Sequence, residues 1–167
     1  MSAIDELVYL LDEAFSGKGI EETGESQSVL ANLATVDDST WRALPPGGWR
    51  SIESIALHVG TCKLMYDDSA FGAGTRAWDD SDLQPWPAGE APREETIEWL
   101  KGLHETLRSH VAALSDADLD ASRKTNWGEL RETRWLISTL MQHDTYHAGE
   151  INHVRSLLAG DDRWRWG

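Results

Sequence analysis

The chain has 167 residues, a length that suits one ordinary domain, and we take residues 1–167 as a single domain. Its 15 Lys and Arg against 29 Asp and Glu give a formal net charge of −14, which argues against nucleic acid and anionic membrane surfaces as partners, because like charges repel. The apolar fraction of 40% and the nine tryptophans exclude a disordered chain, and no apolar run approaches the roughly 18 residues that a membrane span needs.

The spacing of apolar residues predicts the helices of the first half. Residues 4–15 repeat apolar side chains at the three- and four-residue spacing of one helical face. A further helix is expected within 26–36 and a short helical turn within 37–44. The Pro-Pro-Gly-Gly run at 45–48 stops this region, since neither residue type suits the interior of a helix or strand.

The second half is predicted to contain the other long helices. One begins at Ser51, a suitable N-cap, and runs to about residue 71. Residues 75–92 contain three prolines and predict a long loop, which at that length is often functional. The next helix covers about 92–114, and the longest begins at residue 132 or 133 and ends before residue 160.

These elements indicate an all-α fold. No stretch shows sustained two-residue alternation between turn signals, so no sheet is expected. Four long helices that bury one face each form a four-helix bundle, with a long crossover connection between the second and third helices.

The most informative motif is His-Asp-Thr-Tyr-His at residues 143–147. A helix advances about 100° per residue, so His143 and His147 project on one face, in the middle of the core-facing stripe. Glu150 shares that face. Buried polar groups need partners, and a divalent metal satisfies two such histidines together. The alternatives are a hydrogen-bonded network in the core or two histidines that face a lumen.

A third ligand has to come from another helix. His58 lies on the flank of the apolar stripe of the second long helix, and a bundle places ligands from facing helices at its centre. The alternative for His58 is a histidine with its own hydrogen-bond partner at the edge of the core. His104 is a competitor, whereas His110 and His153 point further from their stripes and are expected to be solvated.

The only cysteine, Cys62, follows His58 by one helical turn. It is a fourth ligand, a reactive thiol or, in the simplest interpretation, a small buried hydrophobe. A single cysteine forms no intrachain disulfide, and the N-terminal residues do not resemble a signal peptide. Both observations favour a cytoplasmic protein.

Several tryptophans lie outside the predicted long helices. Trp41 and Trp49 flank the Pro-Pro-Gly-Gly turn and are expected to pin it to the core. Trp78 and Trp86 lie in the long loop, where they either line a pocket or cover the open end of the bundle. A C-terminal pair is interpreted as a packing latch or a subunit contact; it consists of Trp164 and Trp166.

Three of these features together resemble the DinB-like superfamily, which includes the YfiT-type proteins and the mycothiol-dependent maleylpyruvate isomerases. They are the turn Pro-Pro-Gly-Gly-Trp-Arg-Ser at 45–51 before the helix with His58, the sequence HDTYHAGE at 143–150, and the order of the helices. The resemblance covers nearly the whole chain. It implies a four-helix bundle with an unusual crossover, often a homodimer, that binds a divalent metal through three histidines.

The resemblance also assigns roles to residues. It makes His58, His143 and His147 the metal ligands, with zinc or nickel as the expected ion. The family often has glutamine where this chain has Glu150. Glu150 is therefore the candidate catalytic residue, either as a general base or as the group that orients a histidine.

Characterised relatives transfer or activate low-molecular-weight thiols, and others were proposed to be metal hydrolases. The expected function is thus a metal-dependent enzyme acting on a small molecule, a thiol-dependent S-transferase or a related detoxification enzyme, with such a thiol as co-substrate. The alternatives are a metal-dependent hydrolase and a non-catalytic dimeric stress-response module that binds a metal or a small ligand.

Overall fold

The computed structural model describes residues 2–17 and 28–161, so Trp164 and Trp166 lie outside the described residues. Part of the helix expected within 26–36 lies outside them as well. The described elements, in chain order, are α1 (Ala3–Phe15), α2 (Val29–Leu33), α3 (Asp38–Trp41), α4 (Ile52–Phe71), α5 (Arg93–Ala112), a 3₁₀ turn (Asp116–Asp120), β1 (Ser122–Lys124), β2 (Leu130–Glu132) and α6 (Thr133–Ala159).

The long helices begin and end close to where the sequence predicts. Ser51 caps α4, and its side chain accepts a hydrogen bond from the Ser54 backbone N–H. Gly160 ends α6 with a φ of 68°, a left-handed conformation that glycine adopts at little cost. Helices α4 and α6 are therefore positioned by their capping residues as well as by their apolar faces.

The four long helices of the described chain form a bundle, as predicted. Helix α1 packs against α5 and α6, and α4 packs against the same two helices, so α1 and α4 lie at opposite corners. The core divides into two apolar clusters. One surrounds Phe15, Ile55 and Ile151, and the other surrounds Leu11 and Leu136. No helix among the described residues is long and apolar enough to cross a bilayer.

One prediction about secondary structure is wrong, because a small sheet is present. Strands β1 and β2 pair antiparallel, with Arg123 opposite Arg131, directly before α6. Each strand has only three residues, and β2 is exposed along its whole length. Such short polar strands lack the hydrophobic alternation on which a strand prediction depends.

The connection between α4 and α5 is the predicted long loop, and it contains neither helix nor strand. We call residues 73–92 the crossover. At its start, the Arg76 backbone N–H donates to Asp68. At its end, the Ala91 backbone N–H donates to buried Glu53 at 2.7 Å, and the Ala91 carbonyl accepts from the Trp41 indole at 2.8 Å. Both ends are thus fixed to the bundle.

The two tryptophans beside the Pro-Pro-Gly-Gly turn behave differently. Trp41 is 2% exposed and anchors the segment, as expected, whereas Trp49 is 94% exposed, so the prediction for Trp49 is wrong. The Gly48 backbone N–H donates to the Pro45 carbonyl and closes the turn. The turn directs Trp49 to solvent, and the anchoring contacts come from α3 instead.

Candidate metal centre

Three histidines from two helices meet inside the bundle. His58 comes from α4, and His143 and His147 come from successive turns of α6. One ring nitrogen of each lies within 4.8 Å of those of the other two. The Nε2 atoms of His58 and His143 are 3.3 Å apart. We call these three residues the histidine site.

This separation suits a shared metal ion. Two imidazole nitrogens that each lie about 2.0–2.1 Å from a tetrahedral ion are about 3.3 Å from one another. Three nitrogen ligands leave a further coordination position open, which is typical of catalytic rather than structural sites. The donor set therefore fits a divalent transition metal, and imidazoles suit zinc, copper, iron and nickel.

Two of the three histidines, His143 and His58, have pKa values shifted toward the neutral form that binds metal. Burial, with the neighbouring His147, lowers the pKa of His143 to about 3. Burial also lowers the pKa of His58, and His147 and Arg50 add to that effect. A neutral imidazole has one nitrogen with a free lone pair, and this is the form that a metal ion requires.

Glu150 sets the orientation of His147. The Nδ1 atom of His147 lies 2.7 Å from Glu150 Oε2, so Nδ1 carries the proton and donates it to the carboxylate. Nε2 is then free for an ion, as is common for metal-binding histidines. Arg50 in turn donates to both oxygens of Glu150, at 3.2 and 3.3 Å. Arg50 was missed by sequence reasoning, although it stands in the turn motif before α4.

A buried ion pair lies next to the histidine site and was also missed. Lys63 of α4 donates to Asp144 of α6 at 2.5 Å, and both side chains are 1% exposed. Asp144 lies between the two histidines of α6 in sequence. The sequence does contain an indication of this pair, because Lys63 lies on the core-facing line of α4. A buried lysine needs an acidic partner that neutralises its charge.

Cys62 touches the histidine site without joining it. Its Sγ lies 3.6 Å from His58 Nε2, but Cys62 is not part of the group whose ligand atoms come together. Burial, together with the charge of Asp144, raises the pKa of the thiol to about 11. A protonated, buried thiol is a poor nucleophile, so Cys62 fits the interpretation as a small buried hydrophobe.

The other candidate histidines lie elsewhere. His104 is buried on α5, where its Nε2 is 3.0 Å from Asp12 Oδ1 and its ring stacks on Phe15. It is therefore not a competitor as a metal ligand. His110 contacts Asp67 at the surface, and His153 is exposed, as expected for both.

A cavity of about 370 Å³ opens beside His58, between α4 and the crossover. We call it the crossover cavity. The two loop tryptophans line it, in agreement with one of the two interpretations of them, and Trp86 also packs edge-on against Trp99 of α5. The lining residues are Ser54, His58, Thr61, Trp78, Asp80, Ser81, Leu83, Gln84 and Trp86.

Comparisons with known proteins agree with this architecture. The family model of the DinB superfamily matches residues 23–151, a range that includes the histidine site and Glu150. A solved structure of a DinB-like protein from Bacillus cereus is similar with a TM-score of 0.60 and 16% identity, over 89% of this chain and 97% of that chain. This likeness concerns the fold. Among curated proteins, none matches the chain.

Proposed function

The chain belongs to the DinB superfamily, whose members often bind a metal, and on that premise we propose that His58, His143 and His147 hold zinc or nickel. The observation that supports this most directly is the meeting of three imidazoles, with one ring nitrogen of each within 4.8 Å of the others. We further propose that the protein is an enzyme acting on small molecules, a thiol-dependent S-transferase.

A divalent ion at this site would lower the pKa of a thiol or water bound to it and make that group nucleophilic near neutral pH. In the transfer itself, the thiol sulfur forms a bond to an electrophilic carbon. The thiol proton passes to solvent, and the leaving group departs with the electron pair of the broken bond. The co-substrate is a low-molecular-weight thiol, and the crossover cavity, at about 370 Å³, is large enough for a small second substrate.

Glu150 acts in this proposal by positioning His147. One carboxylate oxygen accepts from His147, and Arg50 donates to both oxygens. These contacts favour the orienting role over that of a general base, because the carboxylate is already engaged on both sides. Arg50 holds Glu150 in place and links the start of α4 to α6.

The deciding experiment is metal content by mass spectrometry on untagged protein. We expect about one equivalent in the wild type and none in His147→Ala. The matched control is His153→Ala, because His153 lies on the same helix but is exposed. A His147→Ala protein that is fully loaded with metal would contradict the assignment.

A second measurement separates the proposed activities. In a cobalt-substituted sample, an added thiol should change the visible spectrum if it binds at the ion. A response to hydrolysable esters or amides instead would favour the metal-dependent hydrolase. A spectrum that responds to neither would favour a non-catalytic binding module.

We also propose that the protein is a homodimer. Exposed apolar side chains lie on α1, α6 and the hairpin between α5 and α6, and a patch of this kind is typical of an interface. They include Leu10, Trp127, Leu130 and Trp135. Sedimentation at micromolar concentration should give twice the 18.6 kDa of one chain, and a mass near 18.6 kDa would contradict the proposal.

A further inference from the structure

The crossover cavity carries a negative charge of its own. Asp80 is the charged residue in its lining, and none of the described residues that line it is Lys or Arg. Asp80 uses Oδ2 to accept from the Ala77 backbone N–H, and its Oδ1 has no protein partner among residues 2–17 and 28–161. The cavity thus presents a carboxylate oxygen that is free to accept from a ligand.

Three further lining residues, Gln84, Trp78 and Trp86, also favour a positively charged ligand. Gln84 donates its amide to the Thr61 hydroxyl, which leaves its carbonyl oxygen as an acceptor. Trp78 and Trp86 line the same cavity, and the face of an indole is the best aromatic surface for a cation. A carboxylate, an amide oxygen and two indoles together favour a ligand that carries positive charge and hydrogen-bond donors.

The charge of the whole protein acts in the same direction. With a formal net charge of −14, the chain attracts cations from solution and repels anions. We therefore propose that the crossover cavity binds the ammonium group of a small organic cation, against Asp80 and the faces of Trp78 and Trp86.

Binding of a cation in the crossover cavity does not depend on the proposed function. Only the further step, that this cation is the second substrate, rests on the proposed function. His58 belongs to both the histidine site and the crossover cavity. A molecule whose ammonium group lies at the tryptophans therefore extends its other end toward the histidine site. The substrate class is then a small amine or quaternary ammonium compound with an electrophilic carbon at the opposite end.

The test uses choline as the probe and calorimetric titration of the full chain as the measurement. The matched probe is 3,3-dimethyl-1-butanol, which has the shape of choline but a carbon in place of the charged nitrogen. We expect choline to bind at least tenfold more tightly than the alcohol. Equal binding of the two, or no binding of choline at about 10 mM, would overturn the inference.

Variants then locate the binding. Asp80→Asn keeps an oxygen for the Ala77 backbone N–H but removes the charge, and it should raise the Kd for choline about tenfold. The control Asp79→Asn changes the neighbouring exposed acid, which does not line the cavity, and should leave the Kd nearly unchanged. If Asp80→Asn and Asp79→Asn raise the Kd equally, choline binds elsewhere or only through the net charge of the protein, and the inference fails.

A tryptophan pair gives a second control. Trp78 is 52% exposed in the cavity, and Trp127 is 48% exposed on the hairpin, far along the chain. Trp78→Leu should weaken choline binding about two- to fivefold, and Trp127→Leu should not. If the two variants bind choline alike, the indole face takes no part and the inference fails.

The metal proposal and this inference fail separately. The His147→Ala variant, expected to lose the metal, should still bind choline, because His147 does not line the cavity. If the wild-type protein contains no metal but binds choline in a way that depends on Asp80, only the proposed metal centre is overturned. Metal-loaded wild type that does not bind choline would overturn the cation site alone.

Discussion

Two groups of polar side chains lie buried or half-buried in this bundle, and their bonding differs. In the paired set, which comprises Lys63, Asp144, His104, Asp12 and Arg108, each positive or donating group faces a carboxylate. In the histidine site, nitrogens of the same kind face one another, 3.3 Å apart between His58 and His143. Each base of the first group has an acid partner within the protein, although His104 Nδ1 and Asp144 Oδ1 accept or donate no further hydrogen bond among the described residues. The second group has the arrangement that we propose a metal ion completes.

His58 and His104 occupy similar positions on their helices but have different neighbours. Each lies on the flank of the apolar stripe of its helix, so the sequence gives both the same environment. His104 has Asp12 at 3.0 Å and Phe15 beneath its ring, which makes it part of the packing. His58 has two other imidazoles beside it. The partner, and not the position on the helix, separates the structural histidine from the candidate ligand.

The largest expected effect is on metal content. A substitution in the histidine site should abolish metal binding, whereas a substitution in the paired set should not. His143→Ala should have no tightly bound ion, since two imidazoles bind zinc or nickel far more weakly than three. His104→Ala should keep about one equivalent, and mass spectrometry of both proteins gives the answer. Metal loss in the His104 variant would show that the two groups are not separate.

The next effect concerns stability. Lys63→Met leaves the Asp144 carboxylate buried without its partner and should cost about 3–5 kcal/mol of unfolding free energy, measured in urea. Adding Asp144→Leu should recover most of that loss, because an apolar pair has no charge to bury. A double variant as unstable as the single one would mean that the ion pair contributes more than mutual neutralisation.

A smaller effect is expected at the positioning residue. Glu150→Ala removes the acceptor of the His147 Nδ1 proton and should weaken metal binding about 10–100-fold, measured by competition with a chelator. Glu150→Gln keeps an oxygen for that hydrogen bond and should restore most of the affinity. If the glutamine variant is as weak as the alanine variant, the charge of Glu150 matters more than its hydrogen bond.

A further effect is a pH dependence of the stability that the paired set contributes. Burial, with a contribution from Lys63, lowers the pKa of His104 to about 4. As the pH falls from about 6.5 toward 4, the unfolded chain takes up a proton at this residue that the folded chain does not, so stability falls. Urea titrations at both ends of this range should show a smaller loss for His104→Leu than for the wild type. If the wild type and His104→Leu lose the same unfolding free energy over this pH range, His104 does not contribute to the pH dependence.

The sequence predicts the bundle well because its signals are local. Ser51 and Gly160 mark helix ends, and apolar spacing marks the faces between them. The pair His143 and His147 follows from spacing on one helix in the same way. The hairpin was missed because three-residue polar strands such as β2 have no such pattern.

The contacts that complete the site are not local, and this is why the sequence does not show them. Lys63 and Asp144 are 81 residues apart, and Arg50 and Glu150 are 100 apart. No spacing rule connects such residues, because the connection exists only once α4 lies against α6. The same holds for His58, which the sequence supports chiefly through the family resemblance.

The crossover is attached to the bundle at both ends, through Asp68 on one side and through Glu53 and Trp41 on the other. The residues between these anchors form one wall of the cavity, whereas the metal-ligand candidates all come from helices. Substitutions in the wall therefore leave the histidines in place. If both proposals hold, most of the ligand preference is encoded on the crossover and the metal chemistry on α4 and α6, with His58 shared between them, so crossover residues can diversify while the metal ligands stay constant.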